Sequence, residues 1–264
     1  MILTHHDLGD PHSPDTLTDG LPSDAALDRL PLDAARTLEL AALACDAADA
    51  DDAAAHDAEM ADLVARTTAW ARGRDADLPT VIPLYGTLVV WSPQRAAIIG
   101  PSDRLPQMRA AVVEFAGQDA ELRDIESGIS ETLAHVDADA PLAFLFDERA
   151  LPRRGKLAAR FSQAVSLRRR LALLAPAVQR PAPQPPTLAG QLGERLRDRT
   201  RIVERLESAV DQAELLERVY TACGDRAGEC ATSRRHATLE WILIILLATE
   251  VILLTVDLLA ARTT

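Results

Sequence analysis

Nineteen residues from Trp241 to Leu259, thirteen of them Ile, Leu or Val, constrain this chain more than any other stretch. At about 1.5 Å of rise per residue, a helix of that length matches a hydrocarbon core roughly 30 Å thick. The apolar residues before Ala248 cover every helical face, so no polar stripe remains for solvent. Glu250 at the midpoint and Asp257 near the end oppose insertion. A central carboxylate costs about 2.5–3.5 kcal/mol and each aliphatic residue returns about 0.3–0.6 kcal/mol, so the sum favours a span. The competing reading is a helix buried in an oligomeric bundle. A transmembrane helix over 236–260 is therefore expected, with Trp241, Ile242, Ile245, Glu250 and Leu254 as its anchor residues. Arg234, Arg235 and His236 precede the span and only Arg262 follows it, which puts the chain before residue 236 in the cytoplasm. Glu250 and Asp257, seven residues apart, fall on nearly one face, where a second copy can share hydrogen bonds. A single-pass membrane protein that forms a homo-oligomer is the expectation.

A chain of 264 residues with 48% apolar and 26% charged side chains has ample length for a globular core. Aromatics are only 3%, and cores of Ala, Leu and Val are usually helical, so helix should dominate a modest sheet. The first residues, MILTHHDLGD, lack the basic and apolar regions of a secretion signal, and three cysteines then suit a reducing compartment. Charge is unevenly spread: residues 1–79 hold 17 acidic and 5 basic side chains, whereas residues 153–264 hold 12 and 18. Twelve of those cations lie in 153–201 against Glu194 and Asp198. Three partners can answer such a basic neck: the chain's own acidic part, anionic headgroups, or RNA and the ribosome. Headgroup contact falls to Arg168, Arg169 and Arg170. No aromatic-rich stretch accompanies the arginines to stack bases, which disfavours nucleic acid.

The expected architecture is α+β: a small mixed domain flanked by helices, then a helical neck and the membrane helix. Residues 1–22, with Pro11, Pro14, Pro22 and four aspartates, read as an acidic disordered leader, in which His5, His6 and His12 are a chance cluster. Residues 23–77 read as acidic Ala-rich helices with Ser23 as N-cap, Gly73 as stop and Cys45 as a small apolar filler. In 78–152, LPTVIPLYGTLVVWSP reads as a buried strand, 104–116 as a short helix and PLAFLFDE as another buried strand. In 153–235, Leu157, Phe161, Ala164, Leu167, Leu171 and Leu174 make one apolar helix face, and RPAPQPP at 180–186 is a stiff linker. Leu196, Val203, Leu206, Val210, Ala213 and Tyr220 suggest a short coiled coil, ended by the glycines of TACGDRAGECATS.

No local motif carries catalysis. Cys223 and Cys230 are spaced too widely for a zinc knuckle, with only His236 nearby, and no phosphate loop or nucleophile elbow is present. No cofactor or metal is expected. The enzymatic alternative is an anion site formed by Arg153, Arg154 and Lys156, which lacks a convergent base or nucleophile.

Three segments in order carry a resemblance: Tyr85-Gly86-Thr87-Leu88-Val89-Val90-Trp91; Lys156-Leu157-Ala158 with Gln163-Ala164-Val165 and Leu167; and Leu239-Glu240-Trp241-Ile242-Leu243-Ile244 with Glu250-Val251. Together they resemble the required-for-meiotic-nuclear-division family of bacteria, fungi and mitochondria, over roughly residues 36–260. The terminal segment is the most specific of the three. An acidic residue that follows the middle helix in the family is replaced around Leu171, and an aromatic Asp-Pro segment has no counterpart between Pro186 and Arg199, so the chain looks like a shortened member. The resemblance implies a membrane-associated, oligomeric protein of unknown molecular function without demonstrated enzymatic activity, and the organisation of the chain leads to the expectation of a tail-anchored scaffold with an as yet unidentified protein partner. Mitochondrial relatives are linked to translation at the inner membrane.

Overall fold

The structure, a computed structural model, describes residues 21–22, 25–32, 36–45, 53–73, 78–145, 148–181 and 186–263. The fold is α+β, and the chain divides into two compact units, Met1–Asp124 with Leu173–Leu206 and Ile125–Ala172 with Glu207–Thr264.

The first unit is built on a five-stranded mixed sheet: β1 (Ala26–Pro31), β2 (Thr37–Ala44), β3 (Thr80–Leu84), β4 (Thr87–Trp91) and β5 (Arg95–Gly100), in the order β1-β2-β5-β4-β3. β2 and β5 run parallel at the centre and the other neighbours are antiparallel. A parallel pair needs a long connection, which helix α1 (Ala53–Arg72) and the β3–β4 hairpin supply. The two central strands are covered on both faces, which is why Ala96–Ile99 and Leu40–Ala41 read as apolar runs and not as an alternation. Ala41, Leu43, Val90, Ala97 and Ile99 pack with Trp70 and Ala71 of α1. Toward the other face, Trp91 meets Phe115 of α2 (Leu105–Leu133) edge-on, with ring centroids 5.0 Å apart. α5 (Leu188–Thr200) lies beside β3. Tyr85 (φ 45°) and Gly86 (φ 75°) close the β3–β4 hairpin as a two-residue turn, a geometry that demands positive φ at both positions. Gly100 is required by space: a Cβ there would stand 2.9 Å from Cγ2 of Thr87.

Two arginine-centred contacts tie these elements together. Arg95 donates to Glu39 on β2 at 2.8 Å and to the Trp70 carbonyl at 2.9 Å, and its guanidinium lies 5.2 Å from the Trp70 ring centre. Asp119, 2% exposed at its side chain, accepts from Arg123 at 2.8 Å and from Arg205 at 2.7 Å.

The second unit is helical. It comprises α2 from Ile125, α3 (Val136–Asp139), 3-10 turns at Ala140–Ala143 and Glu148–Arg153, α4 (Arg154–Val178) as far as Ala172, and α6 (Ile202–Thr263) from Glu207. Ile125, Ile129, Leu157, Ala164, Leu167, Leu171, Ala213, Leu216 and Tyr220 are buried there. The spacings of three and four in α4 come from its packed face, with Phe161 alone of the predicted set left exposed. At Gly128 a Cβ would come within 2.9 Å of Leu167 Cδ2, so α2 and α4 touch at a residue without a side chain.

Several expectations are corrected. Among the described residues of 23–77, 26–31 and 37–44 are strands and 53–72 is helical, because sheet pairing on both sides of β2 overrides the helix preference of its Ala and Leu. The stretch read as one strand at 78–93 is a hairpin, and β5 was not foreseen. The helix at 104–116 continues to Leu133. The described residues of PLAFLFDE form no strand: Ala140–Ala143 is a 3-10 turn, and Phe144 and Leu145 are exposed. The expected coiled coil is interrupted at Arg201, which has φ 51° and separates α5 from α6. The glycine-rich stretch at 221–233 does not break α6. Ser23, the histidines of the leader and linker residues 182–185 lie outside the described residues.

Candidate membrane anchor and the polar cluster of its helix

α6 is 62 residues long, and it contains an 18-residue window with the length and composition of a membrane span, none of it buried within the chain. Every residue from Thr232 to Leu253 is exposed. Between Leu239 and Leu253, eleven large apolar side chains, Trp241, Ile242 and Ile245 among them, are 49–66% exposed, on all sides of the helix. A contiguous apolar surface of this extent marks a lipid or protein interface. The backbone of this stretch is satisfied by the helix itself, as a bilayer demands, and the Thr249 hydroxyl donates back to the Ile245 carbonyl at 2.8 Å. Glu250 is exposed at the middle of the stretch. Leu254 and Asp257 are on the same helix, with side chains outside the described set.

Lower on α6 lies the best-built polar group of the second unit. The Asp139 carboxylate, almost fully buried, accepts from the Arg160 guanidinium and, at 3.3 Å, from the Tyr220 hydroxyl. The Cys223 thiol donates to the Asp139 carbonyl at 3.5 Å. Burial, then the negative charge of Asp139, pushes the Tyr220 hydroxyl up to about 12 and raises the Cys223 thiol. Tyr220 therefore stays a donor and Cys223 a protonated thiol, the opposite of an activated nucleophile. The cluster fixes helix against helix, since five side-chain and backbone groups from α3, α4 and α6 satisfy one another around the buried Asp139.

The cations of the neck are distributed differently from the expectation. Arg168 is ion-paired with Glu217 of α6, Arg169 is exposed, and Arg170 is half-buried and not free. Because Glu217 is 24 residues before Trp241, about 36 Å along a helix, Arg168 is placed well away from the apolar stretch. Arg153, Arg154 and Lys156 are exposed where the chain enters α4. They do not line the cleft of about 410 Å³ in the first unit, whose walls include Glu114, Phe115, Gln118, Arg180, Thr187 and Arg197. That cleft offers no nucleophile paired with a base; Arg180 faces Glu114 at 3.6 Å, and the Thr187 hydroxyl caps α5 by accepting from the Gly190 amide. The apolar candidate span is legible in the sequence, whereas the partners of Asp139 lie 21 to 84 residues from it and follow no local motif. No family model matches the chain, and no curated protein matches it.

Proposed function

We propose that this chain is a membrane-anchored scaffold that acts by binding and assembly, with α6 crossing the bilayer once and the preceding residues in the cytoplasm. The observation that carries this reading is the exposed apolar surface on all sides of α6 between Leu239 and Leu253. Hydrocarbon is the solvent such a surface suits, since no polar stripe exists for water. The flanking Arg234, Arg235 and His236 support the orientation, and Trp241 sits where an interfacial aromatic belongs. The likeness of Leu239–Ile244 with Glu250-Val251 to the required-for-meiotic-nuclear-division family supports membrane association and extends the proposal to assembly, linked to translation at a membrane as in mitochondrial relatives.

Glu250 makes the span self-associating in this account. Facing lipid alone, a central carboxylate is strongly disfavoured, and pairing it across two copies relieves that cost by about 0.6–2 kcal/mol per hydrogen bond, with Asp257 one face-repeat further on. Fractionation tests the anchor: the full chain should remain in the membrane pellet after alkaline carbonate, and truncation after Arg235 should release it. A full chain that stays soluble without detergent overturns the proposal. The mass of the detergent-solubilised protein tests the contact, because Glu250→Leu should lower the oligomeric state, and an unchanged mass removes Glu250 from the interface.

A further inference from the structure

Phe144 and Leu145 are the two most exposed large apolar side chains described outside or inside α6, at 81% and 80%. They end the 3-10 turn that leaves α3, and Arg153, Arg154 and Lys156 follow within a dozen residues, all exposed. Where this connection lies along α6 can be read from its contacts. Asp139 meets Arg160 of α4 and Tyr220 of α6, whereas Arg168, further along α4, meets Glu217, earlier on α6. α4 therefore runs antiparallel to α6, and its N-terminal end points the way α6 runs toward Trp241. The last buried residues in that direction, Leu157 on α4 and Ala227 on α6, mark the end of the packed helices.

We infer that this end of the second unit, bearing Phe144, Leu145, Arg153, Arg154 and Lys156, docks on an anionic bilayer surface. The inference rests on α6 being a span, and it adds a second, peripheral contact to the anchor. From Ala227 to Trp241 α6 rises about 21 Å, of which headgroups occupy roughly 5–7 Å, and Arg154 begins a turn beyond Leu157. A tilt of α6 within the range of about 0–40° seen for spans, together with the reach of an arginine, closes the remainder. An aliphatic and aromatic tip beside cations is the composition of an interfacial contact: the rings enter the headgroup boundary while guanidinium and ammonium groups meet phosphate. In sequence the same connection also carries Asp137, Asp147 and Glu148 against Arg149, so the cationic excess is concentrated at its end, in Arg153, Arg154 and Lys156.

The test uses the full chain reconstituted in vesicles of phosphatidylcholine, with and without phosphatidylserine, carrying brominated acyl chains. The native Trp241 reports the span as the bromine-sensitive part of an emission to which the buried Trp70 and Trp91 add a constant background, and Phe144→Trp adds a reporter at an exposed position. The introduced indole should lose roughly half of its emission to bromine in phosphatidylserine vesicles and much less in phosphatidylcholine alone. Arg153→Gln, Arg154→Gln and Lys156→Gln together should abolish that loss, each cation accounting for roughly a fivefold weakening of the docked state. An added indole that is unquenched and open to aqueous acrylamide in both vesicles, while the parent protein's emission is quenched, overturns the docking and leaves the span standing. A parent protein unquenched by bromine overturns the span and this inference with it.

Discussion

Asp139→Ala should loosen the second unit, because Asp139 is buried where three helices meet. The substitution strips the acceptor from Arg160 and from the buried Tyr220 hydroxyl at once. Breaking a buried ion pair costs about 3–5 kcal/mol, and because the Arg160 side chain keeps some solvent contact the lower end, about 3 kcal/mol, applies. Tyr220→Phe removes one hydrogen bond and leaves the ion pair, a loss of about 1 kcal/mol. Hydrogen exchange of the full chain in mild detergent reads both locally. Amides in 209–227 and 125–133 should exchange roughly 100-fold faster in Asp139→Ala and roughly fivefold faster in Tyr220→Phe, with β2 and β5 unchanged. Equal effects from the two variants, or an effect confined to residues 136–140, would refute the role given to the carboxylate.

Further outcomes follow from single positions. Tyr220 titrates at about 12 in the fold against 10.0 in an unfolded chain, so the folded state holds the proton longer; its contribution is full below pH 10 and is lost as pH rises toward 12, an alkaline limb that Tyr220→Phe should remove from the unfolding profile relative to the parent. Gly224→Ala and Gly228→Ala meet nothing within 4 Å, so each should stabilise α6 by about 0.5–1 kcal/mol, whereas Gly100→Ala should destabilise the sheet by about 1–3 kcal/mol against Thr87, read by thermal unfolding. A thiol reagent applied to the native protein should modify the half-buried Cys45 and Cys230 well before the buried Cys223, whose raised titration further slows it; equal rates would contradict its burial.

What was legible in the sequence was what local pattern alone can encode. The apolar face of α4 followed from spacings of three and four, and the long apolar helix that is a candidate span from its density of Ile, Leu and Val, because both patterns are set by the helix that carries them. TLELAALA is rich in helix formers and reads as helix; only its pairing to the neighbouring β1 and to β5, far along the chain, makes β2 a strand. Phe144 and Leu145 were read as core because apolar residues usually are, yet the chain ends a short turn there and turns them outward. Gly224 and Gly228 were read as a break, but two glycines cost about 2 kcal/mol in a helix of 62 residues held at both Tyr220 and Cys223 by packing. The Asp139 group had no signal at all, since its partners converge only once three helices have packed.

The span of α6 is tested most directly by cysteine accessibility in sealed vesicles with the cytoplasmic face outward. In a background with Cys45 and Cys230 changed to Ser, a membrane-impermeant maleimide should label Ser233→Cys at once, Thr263→Cys only after permeabilisation, and Ala248→Cys in neither condition. Immediate labelling of all three positions would contradict the account, because it would place the whole of α6 in water on one side of the membrane.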